Sequence, residues 1–250
     1  MTSSLHKRVV RKWKTYAPER WWGDYLDIRF FLTEKLCGLS GRMVLDAGCN
    51  AGIMASETAA AGDNVVVGLD LRYEALVEYR RLFDDLGLVP RTVAGSWEAP
   101  MFRDESFDAI ILSWVLCDDE TDKKKGETIE KLRALLKPGG SIYFVEANRL
   151  CPIQGCGLDR YWTIERAREF FTSHGFRIEE ELGWNPLPSL VFWLPPRLKM
   201  RLGSRLLTWL YPPGKLVQYI PGWYELFRAS GKYRALRRYC RTYYLHATKV

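Results

Sequence analysis

The sequence predicts an α/β fold, a doubly wound, mostly parallel seven-stranded sheet with helices on both faces. Three observations carry that prediction. Short apolar or β-branched runs alternate with segments of helical periodicity from about residue 43 to residue 182. Two of these runs end in an acid, Asp46 and Asp70, and the first passes at once into the glycine-bearing turn Gly48-Cys-Asn-Ala-Gly52. The fourth run, Phe107 to Leu116, is apolar on both faces, as a central strand of a parallel sheet must be.

The elements follow in order. Met43-Val-Leu-Asp-Ala47 reads as a strand, then a turn, then a helix over Ile53 to Ala61. Gly48 and Gly52 permit positive φ and close approach of backbone to a ligand, and the helix N-terminus behind them offers free N–H groups. The dinucleotide fingerprint G-x-G-x-x-G is absent, and Asn50, which tolerates the left-handed region better than other side chains, stands between the two glycines. Asn64-Val-Val-Val-Gly-Leu-Asp70 is the second strand. A carboxylate at its end can accept from both hydroxyls of a ribose, or cap a helix over Leu71 to Leu82.

Val93-Ala-Gly-Ser-Trp-Glu98 ends a third strand, and an acid before the fourth, Asp104 or Asp108, is expected in a turn. A helix over Thr128 to Leu136 is stopped by Lys137-Pro-Gly-Gly140, because Pro138 cannot continue it and the glycines permit a reversal. Ser141 to Glu146 is then strand five. Thr163 caps a helix running to Ser173, His174 sits at its C-terminal end against the dipole, and strand six runs on to Leu182. A last strand falls near Arg241 to Thr248.

With those residues in view, the stretch Leu39 to Gly183 resembles the class I (Rossmann-like) S-adenosylmethionine-dependent methyltransferases. Their first motif is an acid at a strand end followed by x-G-x-G-x-G, here with Asn50 in place of the middle glycine, and L-K-P-G-G before strand five is a second hallmark. The resemblance implies S-adenosyl-L-methionine as cofactor and methyl transfer as activity. It places Asp46, Gly48, Cys49, Asn50 and Gly52 around the donor, and Asp70 with Leu71 at its ribose. Ser96, Trp97 and Glu98 fall at the adenine, Ser113 and Trp114 beneath the donor; Trp97 reads equally well as a core anchor.

Such a reaction moves a methyl group in line from a sulfonium to an oxygen, nitrogen or carbon nucleophile. The protein supplies positioning, exclusion of water and, for a hydroxyl acceptor, removal of its proton. Where many small-molecule relatives carry a histidine after strand four, this chain reads Trp114-Val-Leu-Cys-Asp-Asp119. The titratable candidates for a base are therefore Asp118, Glu146 and Tyr161, each of which also reads as a cap, turn or donor-contact residue. No metal is expected: the histidines are scattered, and Cys151 and Cys156, the only near pair, lack a second pair.

The 250 residues divide into a basic, aromatic-rich N-terminal helical arm (1–38), a donor-binding core (39–183), a Trp/Pro-rich insertion (184–235) and the last core strand (236–250). The net charge of +7 is unevenly spread. Residues 21–183 carry 19 basic and 28 acidic side chains, whereas residues 184–235 carry eight and one and residues 1–20 six and one. Basic appendages on an acidic core argue for an anionic partner.

Within the insertion, Pro195-Pro196 and Pro212-Pro213 bracket a helix over Arg197 to Tyr211. Arg197, Arg201 and Arg205 share one face of it, beside a face of Leu198, Leu202, Leu206 and Trp209. That composition suits either a helix in a membrane interface or a lid over the site, and both imply a hydrophobic or lipid-linked small-molecule acceptor. Trp22 and Tyr25 of the arm are candidates to close the site. No signal peptide and no long apolar span is visible, which leads us to expect a cytoplasmic protein in peripheral contact with the inner membrane face. Two alternatives stand beside this reading: an RNA methyltransferase whose basic arms track phosphates, and a catalytically silent binding module of the same fold.

Overall fold

The structure is a computed structural model that describes residues 35–36, 38–96, 101–119, 121–149, 161–184 and 242–250. The expected arm, the expected insertion with its helix, and the side chains Trp22, Tyr25, Cys151 and Cys156 lie outside the described residues. In chain order the elements are β1 (Met43–Ala47), α1 (Ile53–Ala61), β2 (Val65–Asp70), α2 (Tyr73–Leu86), β3 (Thr92–Ala94) and β4 (Phe107–Ser113). Then come a single 3-10 turn (Leu116–Asp118), α3 (Asp122–Leu135), β5 (Leu136–Ala147), α4 (Ile164–Ser173), β6 (Phe176–Trp184) and β7 (Thr242–Lys249).

The strands form one sheet in the order β3-β2-β1-β4-β5-β7-β6. β1 is paired in parallel with β2 on one side and β4 on the other, and β2 in parallel with β3. β7 runs against β5: Ser141 bonds Thr248, and two residues further along β5 Tyr143 stacks on His246, two residues back along β7. The expected doubly wound, mostly parallel seven-stranded sheet is thus present. Strand order reverses between β1 and β4, where ligands of such sheets sit, beyond the carboxyl ends of the strands.

Two compact units are distinguished, one of residues up to Phe144 with Phe171–Glu179 and His246–Val250, the other of Val145–Phe170 and Glu180–Leu245. In the first, Val44, Leu45, Ile110, Ile111 and Leu112 are fully buried, which is why β1 and β4 read as unbroken apolar runs. α2 buries Leu76, Tyr79, Leu82, Phe83 and Leu86, the spacing of a one-sided helix, and ends where Gly87 takes φ 71 and its N–H reaches the Asp84 carbonyl. Phe171 of α4 packs on Phe144 and Phe176.

Several local expectations are corrected. α3 starts at Asp122, six residues before the expected Thr128, because the Thr121 hydroxyl accepts the Lys124 N–H and caps it there. β5 begins at Leu136, so the Lys137-Pro-Gly-Gly140 segment is itself strand rather than the gap before one. β4 ends at Ser113 rather than Leu116, since Trp114 takes φ 53 and cannot extend the ladder. Asp108 belongs to β4 and not to a preceding turn; its carboxylate accepts the Met43 N–H at 2.9 Å and the Lys137 ammonium at 2.9 Å. Thr163 caps α4 as expected, accepting from the Arg166 N–H at 3.1 Å, and the His174 N–H returns to the Phe171 carbonyl.

Candidate functional site

The site is built where β1 ends. Gly48 takes φ 73, Asn50 φ 48 and Gly52 φ 74, three left-handed residues in five, so the chain turns sharply from strand to helix. The N–H groups of Gly48 and Cys49 both donate to the Leu69 carbonyl at the end of β2, at 2.8 and 3.0 Å. Gly52 N–H closes the turn on the Cys49 carbonyl at 2.9 Å, and the Ser56 N–H reaches the Gly52 carbonyl at 2.8 Å to start α1.

Asp70 locks this loop to the next strand. One carboxylate oxygen accepts the Asn50 N–H at 2.8 Å and the other the Arg72 N–H at 2.9 Å, and the carboxylate is 8% exposed. The expected capping of a helix at Leu71 is not what the carboxylate does: α2 starts at Tyr73 behind Arg72, whose guanidinium stands 3.5 Å from the carboxylate. Each oxygen of Asp70 keeps a second acceptor position, the requirement for a pair of ribose hydroxyls.

The glycines are needed for packing as well as for φ. A Cβ on Gly48 would lie 2.5 Å from Cγ2 of Val115, just after β4, and one on Gly52 would run into the Tyr79 ring. A Cβ on Gly68 of β2 would meet the same ring at 2.6 Å and the Cys49 sulfur at 2.8 Å. Tyr79 is fully buried and stacked on Phe83 with ring centroids 4.2 Å apart, so it is the buttress on which the loop rests. Sequence reasoning missed it. Its place in the apolar stripe of α2 marks it as buried, but nothing local says which loop it touches.

Asp46 is 3% exposed on β1, between Gly68 of β2 and Ile111 of β4. Burial, and next the Asp46 charge, push both the Cys49 thiol and the Tyr79 phenol far up. Cys49 is therefore a protonated thiol that shapes the loop and not a nucleophile. At the end of β4 the buried Ser113 hydroxyl has no hydrogen-bond partner among the described residues. An orphaned hydroxyl there, next to the left-handed Trp114 and across from the Asp70-locked loop, fits a polar ligand lying over the carboxyl ends of β1, β2 and β4.

Of the other expected site residues, Leu71 is 69% exposed beside Asp70 and Ser96 is half-buried just after β3. Trp97 and Glu98 lie outside the described residues. Asp118 closes the 3-10 turn after β4, and its carboxyl group is outside them also. Glu146 and Tyr161 belong to the second unit. Glu146 is 2% exposed there, with Oε1 accepting the Ala147 N–H at 3.0 Å, and Tyr161 is half-buried. The structure therefore gathers Asp46, Gly48, Cys49, Asn50, Gly52, Asp70, Ser113 and Trp114 in one unit at the ends of adjoining strands.

Comparison with known proteins agrees with this geometry. Residues 44–140 match the family described as a methyltransferase domain. A ubiquinone biosynthesis O-methyltransferase from Aromatoleum aromaticum is 30% identical over 140 residues, which cover 52% of this chain and 58% of that protein. The chain thus spans about three fifths of the length of the curated relatives it matches. Among solved structures, a SAM-dependent methyltransferase from Methanosarcina mazei superposes with a TM-score of 0.55 at 16% identity, over 84% of this chain and 92% of the other. The 4+2 cyclase SpnF superposes with a TM-score of 0.59 at 17% identity, over 88% and 80%. At such identities the likeness of structure is one of fold.

Proposed function

We propose that the chain is a class I S-adenosylmethionine-dependent methyltransferase that transfers a methyl group to the oxygen of a hydrophobic or lipid-linked small molecule at the cytoplasmic membrane face, a reading supported by the match of residues 44–140 to a methyltransferase domain. The observation that carries the reading is the buried Asp70 carboxylate bridging two backbone N–H groups with acceptor positions to spare, beside a loop of left-handed residues. The likeness to O-methyltransferases of ubiquinone biosynthesis supports an oxygen nucleophile on an apolar acceptor. The basic and Leu/Trp-rich composition of residues 184–235 supports access from an anionic lipid surface.

The cofactor, when bound, supplies an already activated methyl group on a sulfonium. The protein's part is then to hold and to shield. Asp70 accepts from the ribose hydroxyls and fixes the register of the nucleoside, while its two backbone bonds keep it oriented before any ligand arrives. The Gly48–Gly52 backbone forms the floor, braced from below by Tyr79, and Ser113 offers a hydroxyl from the end of β4. An acceptor hydroxyl must also lose its proton, and Asp118, the last residue of the 3-10 turn after β4, is the residue we assign to take it.

The test is incubation of the protein with isotopically labelled donor and a lipid and metabolite extract, with products resolved by mass spectrometry. A labelled O-methyl product in the organic phase is the expected result. Label in RNA would overturn the acceptor class, and binding of S-adenosylhomocysteine without any labelled product from extract would favour a silent binding module.

A further inference from the structure

Resting on the donor-site reading above, we propose that Met101 is a modification site: a thioether on the segment bonded to the Asp70 backbone, whose oxidation by a hydroperoxide weakens donor binding. Gly95, just after β3, donates its N–H to the Asp70 carbonyl at 3.1 Å, so the segment on which Met101 rests is tied directly to the donor carboxylate's own residue. A Cβ on Gly95 would lie 2.5 Å from the Met101 sulfur and 2.6 Å from its methyl carbon, so the thioether packs where a side chain at 95 would force it to move.

Met101 is 37% exposed and Leu71, on the far side of Asp70 in sequence, is 69% exposed. Two large apolar side chains are thus left open on the segments that follow Asp70 and Gly95, and on the proposed reading they offer apolar contact to the nucleobase, a contact that polarisable sulfur favours. Among the described methionines Met54 is 2% exposed and Met43 is partly covered within β1, so Met101 is the one an oxidant in water reaches most readily.

In the reaction a sulfur lone pair forms an S–O bond to one oxygen of the hydroperoxide as the O–O bond breaks. The other oxygen leaves and is protonated to water or an alcohol; sulfur is oxidised by two electrons and the peroxide reduced by two. The product sulfoxide is polar and chiral. Its oxygen finds no room on the side where the sulfur lies against Gly95, so it faces the open side, where on the proposed reading the base would lie, or the whole side chain leaves its place.

The experiment uses the full chain treated with hydrogen peroxide and then with dithiothreitol, which returns oxidised thiols such as Cys49 and Cys117 but not a sulfoxide. Peptide mass spectrometry locates the added oxygen, and calorimetry with S-adenosylhomocysteine reads affinity. We expect oxygen on Met101 before Met54, a loss of affinity of about tenfold or more, and its recovery on treatment with methionine sulfoxide reductases. Met101→Leu, whatever its own starting affinity, should lose none of it to peroxide, and Met101→Gln should bind about as weakly as the oxidised protein. An equal loss in Met101→Leu, or full affinity with Met101 oxidised, overturns this proposal alone. Absence of binding by the untreated protein overturns the donor-site reading itself and this one with it.

Discussion

At the scale of single residues the donor site is a matter of a few backbone bonds and the side chains that fit around them. Asp70 can add the proposed ribose contact to its locking of the loop, because a carboxylate has more acceptor positions than its two backbone partners use. Asp70→Ala removes a charge-assisted acceptor and should weaken S-adenosylhomocysteine binding by about 1.5–3 kcal/mol in calorimetry. An unchanged affinity would withdraw the ribose role. Gly52→Ala is a different kind of change: φ 74 costs a side chain about 1–2 kcal/mol, and the new methyl collides with Tyr79. Denaturant unfolding should show a loss of at least about 2 kcal/mol, and a variant as stable as the parent would mean that the loop does not rest on Tyr79. The place of Asp70 at a strand end beside the glycine turn was legible in the sequence. The contact of Tyr79 with that turn was not, because it joins residues from two different elements and no local spacing encodes it.

At the scale of elements, the amino ends of three central strands are tied by one carboxylate. Asp108 of β4 accepts from the Met43 N–H at the start of β1 and from Lys137 at the start of β5, with the Arg42 guanidinium at 3.5 Å. Burial would raise its pKa, but the Lys137 hydrogen bond, the Met43 N–H and the charges of Lys137 and Arg42 outweigh that, and it falls below the ordinary 3.8. With the folded value depressed, the stabilisation is present above pH 3.8 and is lost as pH falls through the lowered value. Asp108→Asn should therefore be less stable than the parent at pH 7, on the order of 1–3 kcal/mol for a hydrogen-bonded charge, and the gap should close as the pH is taken well below 3.8. Unfolding curves for both proteins at pH 7 and in acid check this; a gap independent of pH would exclude the carboxylate's charge as its origin. The sequence reading put Asp104 or Asp108 in a turn, since an acid near a strand start reads as turn chemistry when the ladder partners are unknown.

At the scale of the whole molecule, the charge segregation is the feature that reaches beyond the fold, with an acidic core segment and basic flanks. No helix among the described residues is long and apolar enough to cross a membrane. If the basic face of residues 197–205 meets anionic lipid, each arginine contributes about 1 kcal/mol, enough for reversible attachment. Replacing Arg197, Arg201 and Arg205 together by Glu should abolish flotation with anionic vesicles and leave S-adenosylhomocysteine affinity intact; persistent flotation would remove the interfacial reading. By itself, the sequence determined the α/β class, the glycine turn and the two strand-end acids, because side-chain periodicity and left-handed turn positions are properties of neighbouring residues. Only the tertiary structure decided that Tyr79 and Val115 close around that turn, that Met101 lies on Gly95, that Asp108 gathers three strands, and that β7 runs against β5. Those facts depend on which strands become neighbours, and neighbours in a sheet are chosen by burial over the whole core, not by the residues next to them in the chain.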